Sequence, residues 1–582
     1  FVLMPLGAAW PRFGRLRLSD ALFAALAIAV AVYLALEIES YKTRPTRPTA
    51  EELALGAILI VLVLEAARRA VGWILPFIAL VFLAYAWFGP QMPEPFDHRG
   101  FSLNRIVGQN ALTLEGIFST PMDVAATFIV LFTIYGAVLE RGGAGGFFID
   151  WTFALFGRKP SPAAPGRAIV ASGFLLGTVS GSGVATTVTL ASIGAPMLKR
   201  SGYPAHVAGG MLAAAGIGAT LSPPTLGAAA FIIAEYLKVD YLQVLIYAAI
   251  PTLLYYFGCL LMTEADARRY DVKAVRTSEA SLLSLTLSHG YHFLSLAAIA
   301  VALALGFTSF MAVFWSIAVA FALSMIRADS RLVTPIAFWA GLAAGVAVAI
   351  VGRTDLPAAL GIERFVDARA SVAVFWGVAV ATLVSLAQSF AVPAGSAQRE
   401  ERLRMTDALS SGARSVLGVA ATCACAGIIV SVVNLTGLGL TISGMIVELG
   451  GGVRLAVILL AAVAMWVLGA AVPVTASYII AAVMLVPALV AVGVPEPAAH
   501  MFMFYYAVLA DVSPPTALAP FAAAAIVRAE PFSTMLQAWK YTLPAFLVPI
   551  MFCLTPHGTA LLALDASGLT AATAADWGGV AL

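Results

Sequence analysis

The chain has 582 residues, of which 61% are hydrophobic and only 11% are charged, and its formal net charge is +2. Because soluble domains carry about 25% charged residues, this composition excludes an ordinary soluble protein, and the near-neutral charge argues against nucleic-acid binding. The uncharged runs 168–198, 201–234 and 455–495 are each longer than the roughly 20 apolar residues that one membrane-spanning helix requires. We therefore predict an all-α polytopic protein embedded in a lipid bilayer.

The N-terminal part of the chain, residues 1–122, is predicted to be a scaffold segment. Its spanning stretches are the long apolar runs, and these are 21–36, 53–64 and 71–88. The charged residues 65–69 are predicted to separate the last two spans. Residues 101–122 mix polar and apolar side chains, and this mixture favours an interfacial helix that lies along the membrane.

The next part, residues 123–279, is predicted to be the first half of a repeated unit. A span at 124–139 is followed by the nearly uncharged block 168–234, which is too long for a single helix. The block therefore holds one span plus a re-entrant piece, or more. A further span is expected at 241–263, before a charged loop.

The remaining chain is predicted to contain an intervening scaffold, a second half and a tail. Residues 280–407 have about four apolar stretches of spanning length. The second half, 408–564, holds a second long uncharged block. The tail, 565–582, is rich in Ala and Thr and is expected to lie outside the membrane.

A repeat supports the division into two halves. Ser-Pro-Pro-Thr occurs at 222–225 and again at 513–516, an offset of 513 − 222 = 291 residues. Pro196 and Pro487, like Gly202 and Gly493, keep the same offset. A Pro-Pro break inside hydrocarbon is costly unless the freed backbone groups line a cavity or pack against protein. Two broken apolar segments at corresponding places indicate a transporter's substrate site.

The candidate ligands of the first half are small or hydroxylated residues in uncharged surroundings. They are Ser180, Gly181, Ser182, Gly183, Thr186, Ser222, Pro223, Pro224 and Thr225. Hydroxyl and carbonyl oxygens are hard ligands that suit Na⁺, and glycines allow the backbone to approach closely. The alternative for the glycines is close helix–helix packing through small residues.

The candidate ligands of the second half follow the same pattern. They are Asn434, Thr436, Gly437, Gly469, Pro473, Thr475, Asp511, Ser513, Pro514, Pro515 and Thr516. An acid such as Asp511 within an apolar segment usually faces a cavity, an ion or a partner, and the alternative is a solvated position near the interface. The candidate Na⁺ ligands are Ser180, Ser182, Thr436, Thr475 and Asp511. Neutral oxygens with one carboxylate do not discriminate between Na⁺ and H⁺ as the coupling ion.

Sequence signals of enzymes are missing. No Lys follows a Gly, so there is no phosphate-binding Walker loop, and Gly-x-Ser-x-Gly fails at Ser180 and Ser182. The six histidines have no metal-ligand spacing, and the four cysteines lie in apolar stretches typical of buried structural thiols. We expect no catalytic residues and no cofactor apart from the coupling ion.

The combined motifs resemble a known transporter family. Ser180-Gly181-Ser182, Gly202-Tyr203, Ser222-Pro223-Pro224, Pro473, Tyr478 and Asp511-Val-Ser-Pro514-Pro515 look like the large membrane subunit of tripartite ATP-independent periplasmic (TRAP) transporters. The upstream runs 68–72, 88–90, 98–101 and 139–142 look like the fused form, in which small and large subunits are one polypeptide. The resemblance spans roughly 53–525. Two departures are Thr186, where the family often has Asn, and Gly469-Ala-Ala-Val-Pro473 in place of Gly-x-Gly-x-Pro.

The resemblance implies import of an organic acid anion by Na⁺- or H⁺-driven symport in a bacterial inner membrane. It also implies a periplasmic binding protein of the TAXI type and an elevator-like transport domain with pseudo-symmetric halves. Each half would contain a re-entrant helical hairpin, and we assign hairpin one to about 162–199 and hairpin two to about 463–494. A stand-alone anion transporter without a binding protein is the alternative within transport. A membrane-embedded enzyme or structural scaffold is the alternative from a different class.

Overall fold

The computed structural model of the chain is almost entirely helical. It describes residues 12–13, 16–38, 48–157, 161–274, 280–354, 356–359, 365–393, 395–514 and 517–564. The tail 565–582, Pro515 and Thr516 therefore lie outside the described residues. Two short strands, Arg12–Phe13 and Leu16–Arg17, pair antiparallel before the first helix.

Within the described residues, the N-terminal segment contains four α-helices. They are α1 Leu18–Leu36, α2 Ala50–Val71, α3 Ile74–Phe88 and α4 Leu103–Ala111. The predicted break at 65–69 is wrong, because α2 continues through it to Val71. Glu65 pairs with Arg68 and Arg69 at 2.7 Å each, and Arg69 also reaches Asp20 of α1 at 2.8 Å. These ion pairs neutralise the charges inside the helix, which ends only at Gly72, where φ is +89°.

The predicted interfacial helix differs from the structure in length and in surroundings. Instead of one helix over 101–122, a short helix covers Leu103–Ala111 and the next helix begins at Thr120. Every residue from Ile106 to Ala111 is buried. Helix α4 packs against α2 and against the long helix Ala397–Thr436. The mixture of polar and apolar residues in α4 is therefore explained by packing against other helices of the protein.

The first half contains the predicted hairpin. Its helices are α5 Thr120–Arg141, with a π-helical turn at Ala125–Ile129, α6 Ala144–Gly157, α7 Ala164–Ser180, α8 Gly183–Ser201, α9 Ala205–Ile217, α10 Ala229–Leu237 and α11 Tyr241–Arg269. Helices α7 and α8 contact each other and are joined by only Gly181 and Ser182, which matches hairpin one. Helix α11 extends beyond the predicted 241–263 into the expected loop.

The intervening scaffold has the four apolar stretches that the sequence predicts. Its helices are α12 Leu282–His289, α13 Tyr291–Ala304, α14 Ser309–Ser324, α15 Pro335–Val351, α16 Leu356–Ala359 and α17 Ala370–Ser389. Helices α12 and α13 meet at a bend of 61°. Helices α15 and α17 approach so closely that a Cβ on Gly341 would lie 2.3 Å from the carbonyl oxygen of Gly377.

The second half begins with the longest helix of the chain. Its helices are α18 Ala397–Thr436, α19 Leu438–Leu449, α20 Arg454–Gly469, α21 Val474–Met484, α22 Val486–Ala491, α23 Glu496–Ala510, α24 Leu518–Val527 and α25 Pro531–Leu554, followed by a 3₁₀ turn at Pro556–Leu562. Hairpin two, formed by α20 with α21 and α22, starts nine residues before the predicted 463. The predicted boundaries after residues 122 and 407 fall inside α5 and α18, so no linker separates those segments.

Helix boundaries reproduce the sequence repeat. Equivalent helices α8 and α21 start 474 − 183 = 291 residues apart, and α9 and α23 start 496 − 205 = 291 residues apart. Helices α11 and α25 start 531 − 241 = 290 residues apart. Gly202 and Gly493, which end the equivalent hairpins, both adopt positive φ, at +94° and +81°. The repeat therefore covers whole helices and not only the Ser-Pro-Pro-Thr motifs.

The two halves interlock. Helix α24 of the second half packs on α8 and α9 of the first half, and α10 of the first half packs on α21 and α23 of the second. Helix α25 also packs on α9 and α11. Each half thus contributes a helix that packs beside the other half's hairpin. Both hairpins therefore belong to one packed body.

Six of the described helices are long and apolar enough to cross a membrane, or seven if the bent pair α12–α13 is one span. Together with the shorter apolar helices, this confirms a polytopic α-helical membrane protein.

Candidate functional site

The first broken segment is held in place by hydroxyl groups. After α9, a 3₁₀ turn at Gly218–Leu221 leads into the extended residue Ser222. The Thr252 hydroxyl of α11 donates to the carbonyl oxygen of Leu221 at 2.6 Å, and the Tyr241 hydroxyl donates to that of Pro224 at 3.0 Å. Carbonyl groups freed by the Pro-Pro break are therefore satisfied inside the protein, as an interrupted membrane helix requires.

The tip of hairpin one lies against this first broken segment. The Thr225 hydroxyl donates to the carbonyl oxygen of Gly177 at 3.1 Å. Gly181 has φ +59°, and a Cβ there would lie 3.1 Å from the carbonyl oxygen of Thr225. Ser180 and Ser182 are exposed at the tip. The structure thus brings Ser180–Ser182 and Ser222–Thr225 together, as predicted for one site.

Two other candidate residues of the first half are buried. Gly183 starts α8 so close to α9 that a Cβ would lie 3.0 Å from Cα of Ile217. Thr186, one turn later, is 1% exposed, and its hydroxyl has no hydrogen-bond partner among the described residues. Gly183 therefore has the packing role that was the alternative for the glycines, whereas the Thr186 hydroxyl is free to bind a ligand.

The second broken segment has a different chemistry. The Ser513 hydroxyl donates to the carbonyl oxygen of Leu509 at 2.7 Å and accepts a hydrogen bond from the indole nitrogen of Trp539 at 2.7 Å. Asp511 is partly buried, and within the described part of the chain its carboxylate accepts no hydrogen bond and joins no ion pair. Such a carboxylate is a natural ligand for a cation.

The tip of hairpin two meets the end of α23 beside Asp511. A Cβ on Gly469 would lie 2.5 Å from Cβ of Ala510, so only glycine permits this approach. Pro473 and Thr475 are partly buried at the start of α21. Gly469 therefore lies next to the segment that carries Asp511 and Ser513, the counterpart of the contact in the first half.

One predicted group does not join either loop. Asn434 is exposed near the end of α18, and the Thr436 hydroxyl donates back to the carbonyl oxygen of Val432 at 2.8 Å. Gly437, at φ +77°, connects α18 to α19. Across the described ranges, no hydrogen bond links these residues to Ser180, Ser182, Thr475 or Asp511. The five-residue Na⁺ set therefore stays a prediction, because no hydrogen bond among the described residues connects Thr436 with the other four members.

Residues that the sequence analysis missed line the second broken segment. Trp466 and Trp539 have ring centroids 6.2 Å apart, and the indole N–H of Trp466 is buried without a partner among the described residues. At the 291-residue offset, their counterparts are Leu175 and Ala248, which carry no polar group. Comparing the two halves position by position would have revealed this asymmetry.

A second missed feature links the two broken segments. The Thr252 hydroxyl, which holds Leu221, lies 3.5 Å from the hydroxyl of Tyr505. Tyr505 belongs to α23, the helix that leads into Asp511, and its hydroxyl also donates to the carbonyl oxygen of Ala248 at 3.4 Å. Helix α11 therefore contacts both halves of the site.

The two tryptophans give a matched test of this geometry. Trp539→Phe removes the donor to Ser513, and a buried hydrogen bond contributes about 1 kcal/mol. We expect the free energy of unfolding of the purified protein, measured by denaturant titration, to fall by about 1 kcal/mol. Trp466→Phe removes an N–H without a partner and is expected to change the free energy of unfolding by less than about 0.5 kcal/mol. Equal losses in both variants would contradict the assigned hydrogen bond.

Comparisons with known proteins agree with this architecture. Residues 58–557 match the family described as "Tripartite ATP-independent periplasmic transporter, DctM component". A stretch of 98 residues is 34% identical to a putative TRAP transporter large permease protein of Haemophilus influenzae. A stretch of 98 residues is 32% identical to the 2,3-diketo-L-gulonate TRAP transporter large permease protein YiaN of Escherichia coli. Each alignment covers 17% of this chain and 23% of the relative.

Two solved structures have a distant likeness to the chain. The YdaH transporter of Alcanivorax borkumensis has a TM-score of 0.44 and 15% identity, over 82% of this chain and 96% of that one. MtrF of Neisseria gonorrhoeae has a TM-score of 0.38 and 14% identity, over 86% of this chain and 94% of that one. Both likenesses are too distant to bear on function.

The family match runs through both broken segments, both hairpins and the helices that hold them. The family and the two relatives are transporter permeases and not enzymes. The chain is a multi-pass protein of the bacterial inner membrane. Since the match extends from residue 58 to residue 557, the chain belongs to the family of DctM components of tripartite ATP-independent periplasmic (TRAP) transporters.

Proposed function

We propose that this chain is the permease of a secondary transporter that imports an organic acid anion, delivered by a periplasmic binding protein, and that a gradient of Na⁺ or H⁺ drives the import. The observation that carries the proposal is the pair of broken segments, each met by a hairpin tip and held by side-chain hydrogen bonds. Matched broken helices in two halves are the usual construction of a transporter's ion and substrate site.

The chemistry of the two tips suits both an anion and a cation. Helices α8 and α21 begin at the tips, and the N-terminal ends of helices carry partial positive charge that attracts a carboxylate. Oxygen atoms of Ser180, Ser182 and the backbone suit Na⁺ in the first half, and the Asp511 carboxylate suits a cation in the second. The neutral and the acidic segment therefore have different roles in this proposal.

An elevator-like movement is part of the proposal. Because α10 and α24 are exchanged between the halves, the two hairpins and the two broken segments are suited to move together as one rigid body. The scaffold would be supplied by α2, α3 and α4, which pack on α18 or on one another. We assign these N-terminal helices to a fused small subunit, and the binding protein to the TAXI type, on the motif resemblance alone.

The substrate class follows from the family and from one relative. YiaN is named as the permease for 2,3-diketo-L-gulonate, a sugar acid. We extend only the chemical class, a small organic anion, to this chain.

The experiment that tests the function uses vesicles loaded with the purified permease. The radiolabelled ligand of the cognate binding protein is the probe, presented with that protein under an inward Na⁺ gradient, an inward H⁺ gradient or neither. We expect uptake only when the binding protein and one of the two gradients are both present. Uptake without the binding protein would support the stand-alone transporter, and uptake without any gradient would overturn ion coupling.

A further inference from the structure

A cluster of three aromatic rings joins hairpin two to both halves of the protein. Tyr478 belongs to α21, the arm of hairpin two that begins at the tip, His500 belongs to α23, and Tyr236 belongs to α10 of the first half. The ring centroid of Tyr236 lies 6.4 Å from that of Tyr478 and 6.1 Å from that of His500, and the last two are also 6.1 Å apart. We call these three residues the ring cluster. None of them was among the candidate ligands.

A hydrogen bond inside the ring cluster connects hairpin two to α23. The Tyr478 hydroxyl lies 2.7 Å from Nδ1 of His500. Both side chains are buried, and among the described residues the Tyr478 hydroxyl has no other hydrogen-bond partner. A buried polar group that lacks a partner loses the hydrogen bonds it would make in water. Each of the two groups therefore depends on the other.

A neighbouring charge fixes the direction of this hydrogen bond. Nε2 of His500 lies 4.0 Å from a carboxylate oxygen of Glu496, one turn earlier on α23. Neutral imidazole carries a hydrogen on one ring nitrogen and a lone pair on the other, and an N–H faces a carboxylate more favourably than a lone pair does. Nε2 therefore carries the hydrogen, Nδ1 accepts, and the Tyr478 hydroxyl donates.

The first half has the same meeting place of helices. The counterparts at the 291-residue offset are Thr187 for Tyr478, Gly209 for His500 and Val527 for Tyr236. A Cβ on Gly209 would lie 3.1 Å from a methyl group of Val527. Helices α9 and α24 therefore meet in the first half where α23 and α10 meet in the ring cluster.

The hairpin arm of the first half nevertheless lacks an equivalent hydrogen bond. Thr187, the counterpart of Tyr478, donates to the carbonyl oxygen of Gly183 in its own helix at 2.9 Å. Gly209, the counterpart of His500, has no side chain that could accept a hydrogen bond. The bond between Tyr478 and His500 is therefore a feature of the second half, which is also the half with the acidic broken segment.

We propose that Tyr478 and His500 are positioning residues of the second-half site. Thr475 lies three residues before Tyr478, one turn earlier on α21, and α23 ends directly before Asp511. The hydrogen bond thus ties together the two helices that carry these candidate ligands, and it sets the place of Thr475 relative to Asp511. The effect on cation binding rests on the proposed function, whereas the effect on the hairpin arm does not.

The first test measures amide hydrogen exchange of the purified full-length protein by mass spectrometry, without ligand. Tyr478→Phe is expected to exchange about fivefold faster over residues 474–484, because one hydrogen bond that opposes local opening is lost. The matched control is Tyr506→Phe. Tyr506 also lies on α23, but its hydroxyl donates to the carbonyl oxygen of Phe546 on α25 at 3.1 Å. Exchange over 474–484 should change by less than about twofold in this control.

The second test measures the Na⁺ concentration that gives half of the maximal rise in the thermal unfolding midpoint. We expect this concentration to increase about fivefold in Tyr478→Phe and to stay the same in Tyr506→Phe. A loss of stability alone would lower the midpoint at every Na⁺ concentration without changing the half-maximal one. His500→Leu should behave like Tyr478→Phe. His500→Asn should restore most of the Na⁺ response, because its amide oxygen replaces Nδ1 as the acceptor.

Three outcomes would overturn the proposal. Unchanged exchange over 474–484 in Tyr478→Phe would show that the bond does not hold the hairpin arm. Faster exchange with an unchanged half-maximal Na⁺ concentration would leave a structural contact without a positioning role. Equal behaviour of His500→Asn and His500→Leu would contradict the assigned acceptor.

Failure of the proposed function gives a different result. If the unaltered protein has no Na⁺ response, Na⁺ coupling is wrong, while the exchange test still decides whether the bond holds α21. The same variants are then compared by the H⁺ concentration that gives half-maximal uptake into vesicles, and an unchanged value in Tyr478→Phe would overturn the positioning role.

Discussion

Asp511→Asn is expected to weaken Na⁺ binding by about 10- to 100-fold, because it removes the charge from a carboxylate beside the second broken segment. The carboxylate has no partner among the described residues, so its charge is available for a cation. The measurement is the NaCl-dependent rise in the thermal unfolding midpoint, compared with choline chloride at equal ionic strength.

The control for this variant is Glu235→Gln. Glu235 is an exposed carboxylate near the end of α10, so its neutralisation should leave the Na⁺ response unchanged. A full Na⁺ response in Asp511→Asn would return Asp511 to the alternative of a solvated position near the interface. If the unaltered protein responds to lowered pH and not to Na⁺, H⁺ is the coupling ion.

Asp266→Ala is expected to lower the stability of the protein by about 3 kcal/mol and the unfolding midpoint by about 2–3 °C. Asp266 is 1% exposed on α11 and accepts hydrogen bonds from three side chains of α25. These donors are Gln537 at 2.7 Å, Tyr541 at 2.8 Å and the ammonium of Lys540. Removing the carboxylate leaves Lys540 without its counter-ion in a partly buried position.

The matched control is Asp240→Ala, since Asp240 precedes the same helix but is exposed and makes no side-chain cap. A shift of no more than about 1 °C is expected for it. Adding Lys540→Met to Asp266→Ala should recover part of the loss, because an unpaired buried charge is removed. A midpoint unchanged in Asp266→Ala alone would show that this contact does not stabilise the two halves.

The predictable part of the fold came from composition and from the repeat. Long uncharged runs have few alternatives to spanning helices, and the 291-residue offset of the Ser-Pro-Pro-Thr motifs recurs within one residue in the starts of α8, α9 and α11 and their partners. Ser180–Ser182, which form the tip of hairpin one, were chosen as candidate ligands because small and hydroxylated residues are dense there within an uncharged block. These features are local, so a single sequence contains them.

The predicted helix boundaries were wrong at charged residues that form ion pairs or hydrogen bonds in the structure. The break at 65–69 was predicted from charge alone, but Glu65 and Arg69 pair within α2 and with Asp20. Helix α11 likewise continues past Thr263, because Asp266 is satisfied by α25 and Glu264 pairs with Arg167. A membrane helix tolerates such residues only when distant segments neutralise them.

The residues of the candidate site likewise include some that the sequence predicted and some that it missed. Ser222–Thr225 and Ser180–Ser182 were predicted together and lie together, linked by the bond from Thr225 to Gly177. Trp466 and Trp539 were missed, since a tryptophan in an apolar run has no signal of its own. Asn434 and Thr436 were included for their polarity, but no hydrogen bond within the described residues joins them to the loops.

By itself, the sequence determined that this protein spans the membrane with two similar halves, each with a hairpin and a proline break, because hydropathy and repetition are properties of the chain alone. Only the tertiary structure decided which helices are exchanged between the halves, which hydroxyls satisfy the broken backbone and which acids stay unpaired. The physical reason is that a polar group in an apolar environment is stable or reactive according to its neighbours in space, and these neighbours come from segments hundreds of residues apart.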